Sequence, residues 1–332
     1  MNIFLDNVIF SLQRFGGITE YWRQICQLAS FDKNIFQNKE ESLHDKKLNI
    51  FCKKLLEYST VVIPDEIDIF HSSYYRVPRS KFTNEVVTCH DFIYELLSPY
   101  LQKKLHMPLK FQALHRAKGI ICISNSTKYD LLKLYPSVQR KNIEVIYHGV
   151  DHQMFYQMRN KQRDMQKVLF VGGRSGYKRF DVAVEAVSLS PNKYLAFSGV
   201  KPTASELRVL NSKIPSRWTY LGLITRTQLS EEYNSSFCLI FPSEKEGFGM
   251  PILEAMASGC PVIINEEAAM IEISGNASII ASNSDISTYK KAFVCLETNY
   301  LSYQQLSLDL AKKYSWDKCR ECTLDFYQSL MN

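Results

Sequence analysis

Residues 242–261 read Pro242-Ser243-Glu244-Lys245-Glu246-Gly247-Phe248-Gly249-Met250-Pro251-Ile252-Leu253-Glu254-Ala255-Met256-Ala257-Ser258-Gly259-Cys260-Pro261. It follows the short apolar run Cys238–Phe241, which is typical of a buried strand. Pro251 suits the first turn of a helix, and Gly259 suits its end. We therefore predict a strand, a glycine-rich loop and a short helix whose first amides, near Gly249 and Met250, point toward a ligand.

Outward from this stretch, short apolar runs alternate with helix-periodic segments along the chain. That alternation predicts parallel strands joined by helices in doubly wound sheets. Met158–Gln166 is charged and aperiodic and is interpreted as a linker between two domains. Asn34–Asn49 is interpreted as a loop, and residues 284–330 as helices only. The predicted strands are Ile3–Asp6, Val61–Ile63, Ile67–Phe70, Val86–Cys89, Ile120–Ile123, Ile143–Tyr147, Val168–Val171, Tyr194–Ser198, Trp218–Leu221, Cys238–Phe241 and Pro261–Ile264.

The composition is that of an ordinary globular chain. At about 150 residues per domain, the 332 residues suggest two domains, and 45% hydrophobic with 22% charged residues argues against disorder. No apolar run approaches the roughly 18 residues that cross a bilayer. Met1–Asp6 lacks the basic start of a cleaved signal peptide. The nine cysteines are scattered, so we expect reduced thiols and a cytoplasmic protein.

The net charge of +6 is unevenly distributed. Residues 1–160 hold 21 basic against 16 acidic side chains, whereas the remainder holds 19 against 18. This excess is too mild for a nucleic-acid binder, whose basic residues usually form a stripe. It is compatible with a peripheral contact to an anionic membrane surface, and equally with a solvated surface rich in lysine.

A second glycine-rich segment follows Val168–Val171. Residues 172–180 read Gly172-Gly173-Arg174-Ser175-Gly176-Tyr177-Lys178-Arg179-Phe180 and match neither the dinucleotide fingerprint nor the P-loop. Two cations, Arg174 and Lys178, precede a predicted helix, which is suitable for binding a diphosphate. A basic turn with solvated side chains is the alternative.

Two carboxylates belong to the stretch that follows Cys238–Phe241. Glu246 lies in the loop and Glu254 about one turn into the helix, so both can reach the same side of a ligand. A carboxylate is a good bidentate acceptor for neighbouring sugar hydroxyls. In the alternative interpretation, Glu246 caps the helix and Glu254 is a surface residue.

Residues 246–262 nearly complete the signature E-G-F-G-x-P-x-x-E-A-M-A-x-G-x-P-V. In this the chain resembles the retaining glycosyltransferases of the group-1 (glycogen synthase-like) family, which have the GT-B fold. The resemblance implies two Rossmann-like α/β domains facing across a cleft. It assigns residues 1–157 to an acceptor-side domain, 158–314 to a nucleotide-sugar-binding domain, and 315–332 to a terminal helix that packs back on the first domain.

The same resemblance implies roles for individual residues. Glu254 would bind the ribose, Glu246 the hydroxyls of the transferred sugar, and Arg174 and Lys178 the diphosphate. His90 would lie near the sugar and the acceptor, and a donor phosphate oxygen would take the acceptor's proton. Further donor-binding positions are Gly16, Gly17, Gly173, Phe248, Gly249 and Met250. Arg179 adds a third cation that receives no role.

Substrate expectations also come from the resemblance. Within the family, the segments 11–18 and 174–178 look most like bacterial surface-polysaccharide mannosyltransferases. We therefore expect GDP-mannose as the donor and a glycan or lipid-linked oligosaccharide as the acceptor. Tyr74-Tyr75-Arg76 follow a predicted strand and are expected on the acceptor side, although an ordinary loop is the alternative.

Two other functions remain open at this point. One is a GT-B epimerase or phosphorylase, although no feature nominates the lysine that a phosphorylase's pyridoxal phosphate needs. The other is a catalytically weak scaffold that binds sugar nucleotide. The sequence contains no Asp-x-Asp metal motif, and its phosphate loops offer cations where a divalent ion would need carboxylates. We therefore expect no metal site, no cofactor and metal-independent transfer.

Overall fold

The computed structural model describes residues 1–13, 16–28, 35–37, 59–97, 100–174 and 176–331. The chain divides into two compact units: the first comprises Met1–His148 and Trp316–Asn332, the second Gly149–Ser315. Each unit contains one six-stranded sheet in which all neighbouring strands are parallel. The predicted α/β class is therefore confirmed in both halves of the chain.

The first unit's central strands are buried along their whole length, as is usual for the apolar runs of a parallel sheet. The strands are β1 (Ile3–Asp6), β2 (Ile35–Gln37), β3 (Ile69–Ser72), β4 (Glu85–Cys89), β5 (Gly119–Cys122) and β6 (Asn142–Val145). Their spatial order is β2-β1-β3-β4-β5-β6. The helices are α1 (Ile9–Leu12), α2 (Gly17–Cys26), α3 (Ile93–Leu97), α4 (Tyr100–Arg116) and α5 (Asn125–Leu134).

The second unit repeats this plan. Its strands are β7 (Asp164–Phe170), β8 (Tyr194–Phe197), β9 (Trp218–Tyr220), β10 (Ser236–Phe241), β11 (Val262–Asn265) and β12 (Ser278–Ala281). Their order is β12-β11-β10-β7-β8-β9. The helices are α6 (Phe180–Ser188), α7 (Ala204–Lys213), α8 (Arg226–Ser235), α9 (Met250–Ala257), α10 (Ala268–Ser274), α11 (Ser287–Thr298) and α12 (Tyr300–Ala311).

A last helix, α13 (Trp316–Ser329), returns to the first unit. Gly119 at the start of β5 allows this segment to approach closely, because a Cβ there would lie 2.6 Å from Leu330 Cδ1. Tyr327 Oη lies 2.5 Å from His71 Nδ1 in a buried hydrogen bond. Packing and a polar contact therefore both join α13 to the first sheet.

The boundary between the units lies nine residues before the predicted 157/158 junction, because residues 149–157 belong to the second unit. Phe155 is buried and packs edge-on against Tyr233, with ring centroids 6.0 Å apart. Ser230 Oγ donates a hydrogen bond of 2.8 Å to the carbonyl of Met154. These contacts with α8 fix the segment to the second sheet's side of the junction.

The structure also corrects several predicted elements. Val61 forms only an isolated bridge with Pro78, so the predicted strand Val61–Ile63 is wrong. β7 begins at Asp164, within the predicted linker. β2 lies inside the segment Asn34–Asn49, which the sequence predicts as a loop, and no strand is predicted where β12 lies. Both are edge strands. β2 lies in a polar, lysine-rich segment and the two isoleucines of β12 are not fully buried, so neither shows the continuous apolar run of a central strand.

The remaining sequence expectations concern cysteines and membrane segments. Eight cysteines lie within the described residues, and each of these is a free thiol. Cys52 lies outside the described residues. Over the described ranges, the helices are all too short or too polar to span a membrane.

Candidate functional site

The two predicted ligand loops follow β7 and β10, the strands between which the strand order of the second sheet reverses. From β7 the chain proceeds outward to β8 and β9, whereas from β10 it proceeds the other way to β11 and β12. β7 and β10 are therefore neighbours at a topological switch point, and ligands of open parallel sheets bind beyond the carboxyl ends of strands at such points. The loops at 172–179 and 242–249 follow these two strands directly.

Three contacts join the two loops. Lys178 Nζ donates a hydrogen bond of 2.6 Å to Glu246 Oε1. The amide of Glu244 donates to the carbonyl of Tyr177 at 2.8 Å, and Arg179 forms an ion pair with Glu244. The predicted diphosphate cation and the predicted sugar-binding carboxylate thus lie side by side.

Arg179, which received no role from the sequence, is placed by this arrangement. Its backbone is left-handed (φ 50°) where it precedes α6, and its side chain pairs with Asp181 at 2.9 Å as well as with Glu244. The hydrogen bonds that Arg179 donates to the carboxylates of Asp181 and Glu244 raise the pKa of Arg179, although partial burial opposes them. Arg179 therefore braces the loop that carries Glu246.

Lys245, between the two glutamates, is also paired. Its Nζ lies 3.3 Å from Glu267 Oε1. Burial raises the pKa of Glu267, and the positive charge of Lys245 partly offsets that effect. Glu267 additionally accepts a hydrogen bond of 3.2 Å from the amide of Met270 and so caps α10. Each side chain of the Glu-Lys-Glu tripeptide 244–246 consequently has an oppositely charged partner.

Arg174 is held by residues of α6, α7 and β8. Its Nε donates to Glu206 Oε1 at 2.9 Å, and its guanidinium carbon lies 5.8 Å and 5.3 Å from the ring centroids of Phe180 and Phe197. Burial would raise the pKa of Glu206, but hydrogen bonds from Thr203 and Arg174 hold it below its usual value. Arg174 is thereby a fixed cation with a charged partner.

The glycines of the loops meet specific backbone requirements. Gly172 has φ 125° two residues after the end of β7, and Gly249 has φ 95° where it precedes α9. Both values favour glycine. A Cβ at Gly249 would also lie 2.9 Å from Ile252 Cδ1. Met250 opens the eight-residue α9, whose first amides and positive end of the dipole suit an anion.

Two further predicted residues lie around α9. Glu254 accepts a hydrogen bond of 3.2 Å from the phenol of Tyr233. Phe248 is buried, and its ring packs edge-on against Tyr314 with centroids 6.2 Å apart. This contact anchors the loop 242–249 to the rest of the second unit. Gly173 follows Gly172, and a Cβ there would meet no atom within 4 Å.

The remaining predicted residues belong to the first unit. Gly16, with φ 145°, caps α2, and Gly17 is the first residue of that helix. His90 follows β4 and is buried, with its ring centroid 5.1 Å from that of Tyr21 in an edge-on contact. Within the described residues neither ring nitrogen of His90 has a hydrogen-bond partner.

The charge state of His90 follows from its surroundings. Burial, together with the positive charge of Lys110, lowers the pKa of His90 to about 3. The imidazole is therefore neutral at physiological pH, when one nitrogen can donate and the other accept a hydrogen bond.

The predicted acceptor residues are more enclosed than the sequence suggested. Tyr75 is buried with φ 56°, and the Nζ of Lys110 lies 5.2 Å from its ring centroid. Arg76 is buried too, with its guanidinium 3.3 Å from the carboxylate of Asp6. Tyr74 lies partly exposed beside Tyr75. The acceptor role of these residues stays a prediction, whereas Arg76 has a clear structural partner.

Sequence reasoning missed Glu206, Glu267 and Tyr233. For Glu206 a signal was available, since Thr203 and Glu206 have the spacing of a capping box, which the structure contains. Glu267 and Tyr233 had no comparable signal, because each reaches its partner only through the packing of separate elements.

Comparisons with known proteins agree with this architecture. Residues 155–308 match the family of glycosyl transferases group 1, and residues 44–154 match glycosyltransferase family 4. The O-antigen chain mannosyltransferase RfbU of Salmonella typhimurium is 26% identical over 221 residues, covering 64% of this chain and 61% of that protein. O-antigen chain mannosyltransferase B of Escherichia coli is 24% identical over 273 residues, covering 74% and 68%.

Solved structures show the same fold along the entire chain. Sucrose-phosphate synthase from Thermosynechococcus elongatus superposes with a TM-score of 0.77 at 15% identity, covering 100% of this chain and 99% of that one. HepE of Anabaena, in complex with UDP and glucose, gives a TM-score of 0.73 at 12% identity, covering 99% and 100%. At these identities the likeness concerns the fold, and the GT-B expectation is confirmed.

The buried pair of Arg76 and Asp6 predicts a stability effect. Replacing Arg76 with Ala should lower the free energy of unfolding by about 3–5 kcal/mol, because it leaves the carboxylate of Asp6 buried without this cation. Urea denaturation followed by circular dichroism measures the change. The double variant Asp6→Asn/Arg76→Met should be markedly more stable than Arg76→Ala. Equal stability of Arg76→Ala and the unmodified protein would show that the pair contributes nothing.

Proposed function

Because the chain belongs to the group-1 glycosyltransferases with the GT-B fold, we propose that it transfers a hexose from a nucleotide-diphosphate sugar to a glycan or lipid-linked oligosaccharide. The observation that carries the proposal is the contact of 2.6 Å between Lys178 and Glu246 at the switch point of the second sheet. A cation for phosphate and a carboxylate for hydroxyls meet there, as the junction between a sugar and its diphosphate requires.

The proposed chemistry follows from charge. As the glycosidic bond of the donor breaks, the diphosphate gains negative charge and the sugar becomes oxocarbenium-like. Arg174, Lys178 and the first amides of α9 would stabilise the leaving diphosphate. Glu246 would position the sugar through its hydroxyls. The Glu246 carboxylate accepts a hydrogen bond from Lys178, which suits an orienting role better than nucleophilic attack.

For stereochemistry we propose retention of the donor's anomeric configuration, which rests on the family signature at 246–262. A donor phosphate oxygen then takes the proton of the acceptor. The neutral imidazole of His90 suits this scheme, because a group with a pKa of about 3 is a poor general base at neutral pH. His90 would serve the sugar or the acceptor through hydrogen bonds.

For the donor we propose GDP-mannose. Support comes from the two relatives named as O-antigen chain mannosyltransferases. HepE, a neighbour in fold alone, was solved with UDP and glucose, so UDP-glucose is the donor to compare. Surface-polysaccharide assembly suggests a lipid-linked or polymeric acceptor.

The function is tested first by donor binding and nucleotide release. Thermal unfolding in a panel of GDP-, UDP-, ADP- and TDP-sugars should identify one donor, since a ligand at 100 times its Kd stabilises by about 2.7 kcal/mol. Free nucleotide should then be released only when acceptor is added, at the same rate in excess EDTA. Release without acceptor would indicate a hydrolase, and conversion of the donor into another nucleotide sugar without release would indicate an epimerase. Binding without turnover would indicate a scaffold, and rescue of an EDTA-treated enzyme by magnesium a metal-dependent mechanism.

The two cations should be required for turnover. Arg174→Ala and Lys178→Ala should each lower kcat by about 10²- to 10³-fold, the usual effect of losing one group that stabilises transition-state charge. Lys213→Ala is the matched control, because Lys213 forms an exposed pair with Glu185 in the same unit. Near-normal kcat in both site variants would refute the diphosphate site.

We further propose that the first unit contacts an anionic membrane surface, at the cytoplasmic face where a lipid-linked acceptor would lie. The excess of five basic residues in 1–160 supports this. So do exposed apolar side chains of α3 and α4, namely Tyr94, Leu97, Met107 and Phe111, because apolar insertion and basic charge together strengthen peripheral binding.

Sedimentation with lipid vesicles tests the membrane contact. The protein should pellet with phosphatidylglycerol-containing vesicles at 20 mM salt and largely detach at about 500 mM, because the Debye length then falls well below 10 Å. Vesicles of phosphatidylcholine alone are the control. Failure to pellet with anionic vesicles at low salt would exclude the contact.

A further inference from the structure

Tyr233 lies beneath the predicted ribose carboxylate. It belongs to α8 and is fully buried, and its phenol donates a hydrogen bond of 3.2 Å to Glu254 Oε2 in α9. Glu254, by contrast, is only partly buried. A buried hydroxyl of α8 thus contacts the carboxylate of α9 that the family signature assigns to the nucleoside.

The tyrosine itself has little freedom to move. Its ring packs edge-on against Phe155 at 6.0 Å, and its carbonyl accepts a hydrogen bond of 2.9 Å from Arg163. Burial, and then the negative charge of Glu254, raise the pKa of Tyr233 well above its usual value. The phenol therefore stays protonated and can only act as the donor toward the carboxylate.

We propose that Tyr233 is a positioning residue, which orients the carboxylate of Glu254 so that it can accept both ribose hydroxyls of the donor nucleotide. This inference rests on the proposed function. Tyr233 is too buried to touch the donor, so its effect must pass through Glu254. A carboxylate with a fixed orientation loses less freedom when it forms a bidentate contact.

This role gives a signature that a general structural role would not give. A loss of orientation at Glu254 should weaken only the ribose contact, which is made equally in the ground and transition states. Such a change raises KM and leaves kcat unaltered. It should also vanish for a nucleotide that lacks the ribose hydroxyls.

The test uses Tyr233→Phe, which removes one oxygen and keeps the ring. Calorimetry with GDP and with UDP should show about tenfold weaker binding of whichever nucleotide the unmodified protein binds, as expected for one lost hydrogen bond to a charged group. For the 2′,3′-dideoxy forms of the same nucleotides, the Kd values of Tyr233→Phe and of the unmodified protein should differ by less than twofold. At saturating donor, kcat should also change less than twofold.

Tyr300→Phe is the matched control. Tyr300 belongs to the same unit, and its hydroxyl is buried with no hydrogen-bond partner in the described part of the chain. Its removal should leave nucleotide affinity unchanged. In the background of Glu254→Gln, Tyr233→Phe should add less than a twofold loss, because the carboxylate that it orients is no longer present.

The outcomes separate the two proposals. Unchanged affinity for GDP and UDP in Tyr233→Phe, or an equal loss for the dideoxy nucleotides, would overturn the positioning role and leave the proposed function standing. Full additivity with Glu254→Gln would overturn it as well. An unmodified protein that binds neither nucleotide, nor any of the sugar nucleotides in the thermal unfolding panel, would instead refute the proposed function, and the inference with it.

Discussion

Lys178 and Glu246 are 68 residues apart in sequence, and their side chains lie 2.6 Å apart. The contact exists only because β7 and β10 are neighbours in the sheet, so that the loops after these strands emerge together. Several neighbouring contacts hold the same loop. Arg179 and Glu267 pair with the two residues that precede Glu246, and Gly249, three residues after Glu246, turns the chain into α9.

Charge pairing gives this site a particular balance. Each cation predicted to meet a diphosphate already has a carboxylate partner, Glu206 for Arg174 and Glu246 for Lys178. A diphosphate that replaces these carboxylates must therefore bind Arg174 and Lys178 more strongly than Glu206 and Glu246 do. The two charges and several oxygens of a diphosphate meet that condition. The arrangement keeps strongly polar groups fixed in advance, which is the requirement for electrostatic stabilisation of a transition state without reorganisation. In the first unit, His90 has no charge that needs a partner, since burial lowers its pKa and keeps the imidazole neutral.

Most of the fold and part of the candidate site could be predicted from the sequence. The alternation of strands and helices could be recognised because central strands are continuous apolar runs, whereas the edge strand β2 lies in a polar segment and the edge strand β12 is partly exposed. The loop residues Arg174, Lys178 and Glu246 could be identified because glycines and a helix start mark their positions. Partners such as Tyr233 and Glu267 could not, since their contacts depend on how separate helices pack. The partner of Arg76 could not be predicted for the same reason: Tyr74-Tyr75-Arg76 follow a strand and so suggest the acceptor side, whereas the pairing of Arg76 with Asp6 depends on how β1 and the segment after β3 pack.

The return of α13 to the first unit has a consequence for biosynthesis. His71 and Tyr327, which share a buried hydrogen bond, are 256 residues apart, and the whole second unit is translated between them. Domains generally fold as units while the chain emerges from the ribosome. Here the unit that begins first is completed last, because β5 is covered at Gly119 only after residues 326–330 have been made. Until then the nascent chain carries the whole second unit, while the start of β5 in the first unit lacks the cover that Phe326 and Leu330 give it.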